Sequence, residues 1–211
     1  ELDLYHRQKF LFRKFEEKHK VIFLSERSGW RQLYMVDLKT NKTTPLTLGN
    51  YYINSVVHTD EKTETIYFLA SGKEANNNPY HQQLYKVNFS GMMSLLTPEF
   101  AHHDINFSED GKYFVDNYST ISMPTKTVLR DPKSGNTLTK LANANVDEAL
   151  SKGWKVPQTF KLTAKDGKTI IYGALWKPTT FDPSKSYPII DATYTGPHTQ
   201  VFPKSFNQGF R

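Results

Sequence analysis

The stretch Tyr187–Pro197, YPIIDATYTGP, delivers a tyrosine to the mouth of a forced turn. Ile189–Thr193 suits a buried strand, because β-branched residues dominate a short run bounded by Pro and Gly. Gly196-Pro197 breaks that strand, so Tyr194 stands where its last side chain reaches a loop, the position at which open α/β sheets build their sites. On spacing alone, Tyr194 reads first as a packed strand aromatic, and the surrounding string is what favours a site. His198 follows the same turn and is the other candidate to line a site there. Of the other histidines, His58 at the end of one expected strand and His102-His103 at the start of another lack partners at Zn²⁺ spacing. They read as strand-edge histidines, and no metal ligand set is expected. Glu16-Glu17 falls in a charged run and reads as a solvated turn. No G-x-S-x-G elbow occurs; in Ser205-Phe206-Asn207-Gln208-Gly209 no glycine precedes the serine.

The elements that would carry these residues repeat. Three segments each open on an apolar run, pass a polar turn and enter a strongly apolar strand: Leu11–Ser25, Ile53–Ala70 and Asp104–Asn117. A third strand follows at Leu33, Leu84 and Thr127, and a shorter fourth at Thr43, Met93 and Thr137. Four strands on a period of about 45 residues mark β-propeller blades. Glu109-Asp110-Gly111-Lys112 and Asn88-Phe89-Ser90-Gly91 supply hairpin turns, while Ser28-Gly29-Trp30 and Asn76-Asn77-Asn78-Pro79 fill longer loops, with Trp30 expected to pack. About three blades leave apolar faces bare, so further blades are expected before Glu1.

The pattern changes after residue 141. Asn145 with Glu148 forms a possible capping box for a short helix that places Leu150 inward and ends at Gly153. A hairpin then runs from Thr159 to Trp176 around Asp166-Gly167, and a loop carrying Pro178, Pro183 and Pro188 leads to the expected core strand. The domain reading is therefore 1–141 for the blades, 142–157 for a linker and 158–211 for the start of a second domain.

Composition narrows the classes. The 14 Phe and 12 Tyr favour strands over helices, and with no cysteine the fold needs no disulfide and offers no thiol chemistry. No apolar run approaches the ~20 residues of a membrane-spanning helix, and no secretory leader pattern opens the sequence. Glu1 is not an initiator methionine, which points to a segment of a longer chain. The net charge of +6 is scattered among acids, as in Arg13–Lys18, rather than clustered as a nucleic-acid site would need.

Three motifs, in order, carry a resemblance. Phe23–Trp30 with Leu33-Tyr34 is similar to the F-x-S-E-x-D-G-[YW]-x-H-L-Y segment of the dipeptidyl peptidase IV propeller, with Ser28 in place of the acid and Gln32 in place of the histidine. The hairpin and the P-x-x-F-D-x-S-K-x-Y-P loop resemble the entry to the hydrolase domain of the same prolyl oligopeptidase family. Tyr194-Thr195-Gly196-Pro197 fits that family's Y-x-G-P setting. The resemblance implies a mainly β chain: an incomplete β-propeller followed by the first hairpin and strand of an α/β-hydrolase domain. It implies that Tyr194 stabilises an oxyanion, while nucleophile, acid and base are not in this chain, so that the chain alone is inactive. It implies a serine exopeptidase that releases short peptides from oligopeptide N-termini after Pro or Ala, without a cofactor. The family's paired glutamates for the substrate amine lie in earlier blades, so Glu16-Glu17 does not inherit that role. The expected partners are a peptide substrate and further copies of the same chain, not nucleic acid. The family points to a periplasmic or secreted location; the sequence itself leaves the compartment open. The competing reading is a non-catalytic propeller that binds a peptide or protein.

Overall fold

The computed structural model describes residues 12–193 and 201–206. Three antiparallel sheets of four strands follow one another in chain order. The first holds β1 (Phe12–Phe15), β2 (Lys20–Ser25), β3 (Gln32–Asp37) and β4 (Lys42–Pro45). The second holds β5 (Tyr52–Asp60), β6 (Thr65–Ser71), β7 (Gln82–Asn88) and β8 (Met93–Leu95), and the third β9 (His102–Phe107), β10 (Phe114–Ser119), β11 (Lys126–Arg130) and β12 (Thr137–Asn143). Each sheet pairs its strands in sequence order, the meander of a propeller blade.

Alternation along β6 explains how the blades stack. Ile66, Phe68 and Ala70 join a cluster with Ile22, Leu24, Leu33 and Met35 of the first sheet. Tyr67 and Leu69, pointing the other way, join Ile105 and Phe114 of the third. A strand buried on both faces must be apolar where it is buried, and Ile66–Ala70 is.

A polar clasp recurs where one blade hands over to the next. Gln32, the first residue of β3, donates from Nε2 to the carbonyl of Tyr51 at 2.7 Å and to that of Gly49 at 3.3 Å. Gln83 in β7 donates likewise to Thr97 O at 2.9 Å and Glu99 O at 3.3 Å. Beside each glutamine the next backbone N–H meets a threonine hydroxyl, Leu33 to Thr47 at 2.9 Å and Leu84 to Thr97 at 2.8 Å. Buried carbonyls of the two crossovers thereby find donors. Gln32, which stands where the resembled motif has a histidine, thus fastens the first crossover.

The chain divides into two compact units, Glu1–Tyr118 with Lys126–Ala142, and Ser119–Thr125 with Asn143–Arg211. In the second, α1 (Asp147–Ser151) is one short turn of helix. Its Ncap is Val146 rather than Asn145, whose Oδ1 instead accepts from Asp147 N–H at 2.7 Å, and Leu150 is exposed rather than inward. Five residues give the helix too little length to bury a face. Gly153 closes it at φ +85°, as its sequence position requires.

The hairpin forms from β13 (Gln158–Thr163) and β14 (Ile170–Leu175), with Asp166 Oδ1 accepting from the Lys168 and Thr169 N–H groups in the turn. Phe160 stands opposite Gly173, and the ring fills the space a Cβ would take. The following loop closes on itself: Phe181 stacks on Tyr187 at 5.1 Å, and the Tyr187 hydroxyl accepts from Asp182 N–H at 2.9 Å. The expected strand Ile189–Thr193 does not form. Ile189 and Ile190 are 87% and 89% exposed, and among the described residues no strand lies beside the run to complete a ladder.

Candidate functional site

Tyr194, Thr195, Gly196, Pro197 and His198 lie outside the described residues. The site proposed around Tyr194 therefore rests on its sequence setting, and the described residues supply two other places where polar chemistry gathers.

The first is one end of the blades. Strand direction puts the β1–β2 and β3–β4 turns, with their counterparts in the next two sheets, at one end. Here Asp37, Asp60, Asn88, Asp110 and Asp131 each bind backbone N–H groups two or three residues on, the Asx turn that their side chains favour. Asp110 is held low, at about 2, by hydrogen bonds from Lys112 and Ser108. Such turns are spent on closing hairpins. Glu16 pairs with Lys14 at 3.1 Å in the same exposed setting, as a solvated turn should. At the opposite end lie the β2–β3 and β6–β7 loops and the two crossovers. Arg31 fixes the β2–β3 loop to the second blade, donating to Tyr52 Oη at 3.3 Å and to Asn54 O at 3.2 Å. The Arg27 guanidinium lies 5.0 Å from the Phe23 ring centre and 4.9 Å from that of Tyr34. Trp30 does not pack as expected: it is 43% exposed at the tip of this loop. A loop too short to fold back over a strand leaves its indole in water.

The second is a buried cluster in the third blade. His103 is fully buried and turns Nδ1 to Asp116 at 2.9 Å and Nε2 to the Glu99 carbonyl at 3.1 Å. Arg130 reaches across the sheet to Asp116 Oδ2 at 2.9 Å, to Glu99 Oε1 at 2.7 Å and to Gly135 O at 3.0 Å. Burial pushes the Glu99 carboxyl up, but the hydrogen bond and charge of Arg130 outweigh it and hold the group below its ordinary value. Ligand atoms of Glu99, His103 and Asp116 lie within 4.8 Å of one another, a grouping that could ligate a cation. The guanidinium bonds to both carboxylates and supplies the positive charge there. His103, Asp116 and Arg130 are buried while Glu99 is partly exposed, and together they fasten the crossover between second and third blades.

Strand-edge histidine is thus corrected for His103, although His102 beside it is only partly buried. A signal existed: His103 takes the place in β9 that Ile53 takes in β5, a polar residue on a core face. Glu99, Asp116 and Arg130 gave none, since only the fold of the third sheet and the crossover before it brings them together. His58 stacks on Phe107 at 4.6 Å, and desolvation lowers its pKa against an opposing pull from Asp60.

Comparison with known proteins places these features. The family model for the dipeptidyl peptidase IV N-terminal region matches residues 2–125. The dipeptidyl peptidase 4 of Trichophyton equinum is 23% identical over 197 residues, which are 90% of this chain and 24% of that protein. A solved Bacteroides ovatus structure assigned to dipeptidyl aminopeptidase IV is 26% identical with TM-score 0.76, covering 97% of this chain and 31% of that one. The crystal structure of Porphyromonas gingivalis dipeptidyl peptidase 4 shares the fold at TM-score 0.76 and 21% identity, over 92% of this chain and 27% of that one. The chain spans about a quarter of the length of the curated relatives it matches.

Proposed function

The chain belongs to the dipeptidyl peptidase IV N-terminal region family, within the prolyl oligopeptidase family, and from that membership we propose that it is part of a serine exopeptidase. The observation that carries this reading is the order of parts: three consecutive blades, then the hairpin, then Tyr194-Thr195-Gly196-Pro197. The enzyme would release short peptides from the N-termini of oligopeptides after Pro or Ala, through an acyl-enzyme formed on a serine. That serine, with its aspartate and histidine, is proposed to lie on a part of the protein beyond these 211 residues, which hold no G-x-S-x-G elbow. Tyr194 would then donate its phenol O–H to the tetrahedral oxygen. The 211 residues alone would be inactive.

The test is a fluorophosphonate probe on the full-length protein, followed by chromogenic Xaa-Pro and Xaa-Ala substrates. A labelled serine and release of the dipeptidyl unit are expected. A full-length protein that takes no label would overturn the reading and leave a propeller whose function is binding.

A further inference from the structure

The outer edges of the three blades are not alike. β4 is four residues long and ends at Pro45, and β8 is three. Both are edges of the blunted kind, too short or too interrupted to template another strand. β12 is different: Thr137–Asn143 runs seven residues, contains no proline and is exposed along its whole length. It is also longer than β11, its five-residue neighbour. As the last strand of its sheet it has, among the described residues, β11 on one side only. Leu138 and Leu141, one on each face, are 51% and 52% exposed.

The charge of this edge selects its occupant. Lys140 is the only charged residue of β12 and stands at its centre, and Lys126 on β11 is exposed as well. A second copy pairing antiparallel about a two-fold axis uses all seven residues only when centred on Lys140. That register sets the ammonium directly opposite itself, which is destabilising. An acidic residue in the same place is favoured by the same rule.

We propose that β12 is a β-augmentation edge that takes an extended, acidic segment of a partner protein as a fifth strand of the third blade. Backbone groups of β12 would supply the ladder, Lys140 would face an Asp or Glu of the incoming strand, and Leu138 and Leu141 would cover its apolar neighbours. The surface is independent of peptide hydrolysis and does not need a working triad.

The experiment uses the full-length protein and fluorescein-labelled peptides of sequence Thr-Val-Thr-Val-Glu-Val-Thr-Val-Thr, capped at both ends, read by anisotropy. A second peptide carries Lys in place of the central Glu, and a third has alternate backbone amides N-methylated on its ladder-forming edge. The Glu peptide is expected to bind about fivefold or more tighter than the Lys peptide, Lys140→Glu to reverse that order, and N-methylation to abolish binding. Equal binding of the Glu and Lys peptides, an order unchanged by Lys140→Glu, or no binding at millimolar peptide would each overturn the proposal. So would a homodimer cross-linked through a cysteine placed at Thr139, which would make the occupant a second copy.

Discussion

Arg130 holds two carboxylates and a carbonyl at once, and its loss should be felt more than that of any surface charge. Arg130→Met keeps the volume but leaves Asp116 buried beside Glu99 without its counter-charge; a loss of about 3–5 kcal/mol is expected in urea unfolding. Adding Asp116→Leu should return part of it, and an unchanged midpoint in the single variant would contradict the role. His58 gives a pH dependence of known sign. Its folded-state pKa is lowered by desolvation, so the unfolded chain binds the proton more readily. Its contribution is complete above the ordinary value of 6.5 and fades as pH falls through the folded value. The melting temperature should therefore drop between pH 7 and pH 5, and His58→Phe, which keeps the stack on Phe107, should lessen that drop. If the reading of Tyr194 is right, Tyr194→Phe in the full-length enzyme lowers kcat by ~10²–10³ with KM little changed. Steady-state kinetics decide it, since an unaltered kcat removes the oxyanion role. At this scale the sequence is legible only where a motif is local. Tyr194-Thr195-Gly196-Pro197 is such a local motif, its role a proposal, whereas the Glu99, His103, Asp116 and Arg130 cluster joins residues up to 31 positions apart that only the folded third blade and its crossover bring together.

Strands and turns were more legible than their ends. The Asp and Asn turn residues announce themselves because one side chain closes one turn, and β2 and β6 because burial on both faces demands the apolar runs Val21–Leu24 and Ile66–Ala70. The start of the short helix is misplaced by one residue because Asn145 offers an Asx turn as readily as a cap. Ile189–Thr193 has strand composition without a strand, since composition cannot provide a neighbour to pair with. Two element-scale substitutions follow. Phe68, wholly buried between first and second blades, should cost about 3–5 kcal/mol as Phe68→Ala. Gly135 has φ +78°, and a Cβ there would sit 2.3 Å from the Leu96 carbonyl oxygen. Gly135→Ala should therefore destabilise by more than about 1 kcal/mol, because the neighbour is backbone and cannot swing aside. Chemical denaturation of each variant checks both, and a Gly135→Ala midpoint equal to that of the wild type would refute the close approach.

The period of about 45 residues is the most legible property of the molecule, because each blade must bury the same two faces and so repeats the same alternation. What the period hides is where the repeats differ: polar in the third blade where the second is apolar, and long at one outer edge where the others are short. The hairpin leaves Leu162, Ile170, Ile171 and Leu175 exposed. The isolated 211-residue chain should accordingly self-associate, and sedimentation as a single monomeric species would count against it. The glutamine clasps have a mechanical corollary. Gln32 and Gln83 fasten each crossover at its base, so tension applied along the chain meets its resistance at the hand-over between blades and not at the hairpins. Under an optical trap the blades should let go whole, in extensions of roughly 160 Å for about 45 residues apiece, and Gln83→Ala should lower the force of one such event. Steps of a single strand's length would mean that each blade frays from its edge and that the clasps bear no tension.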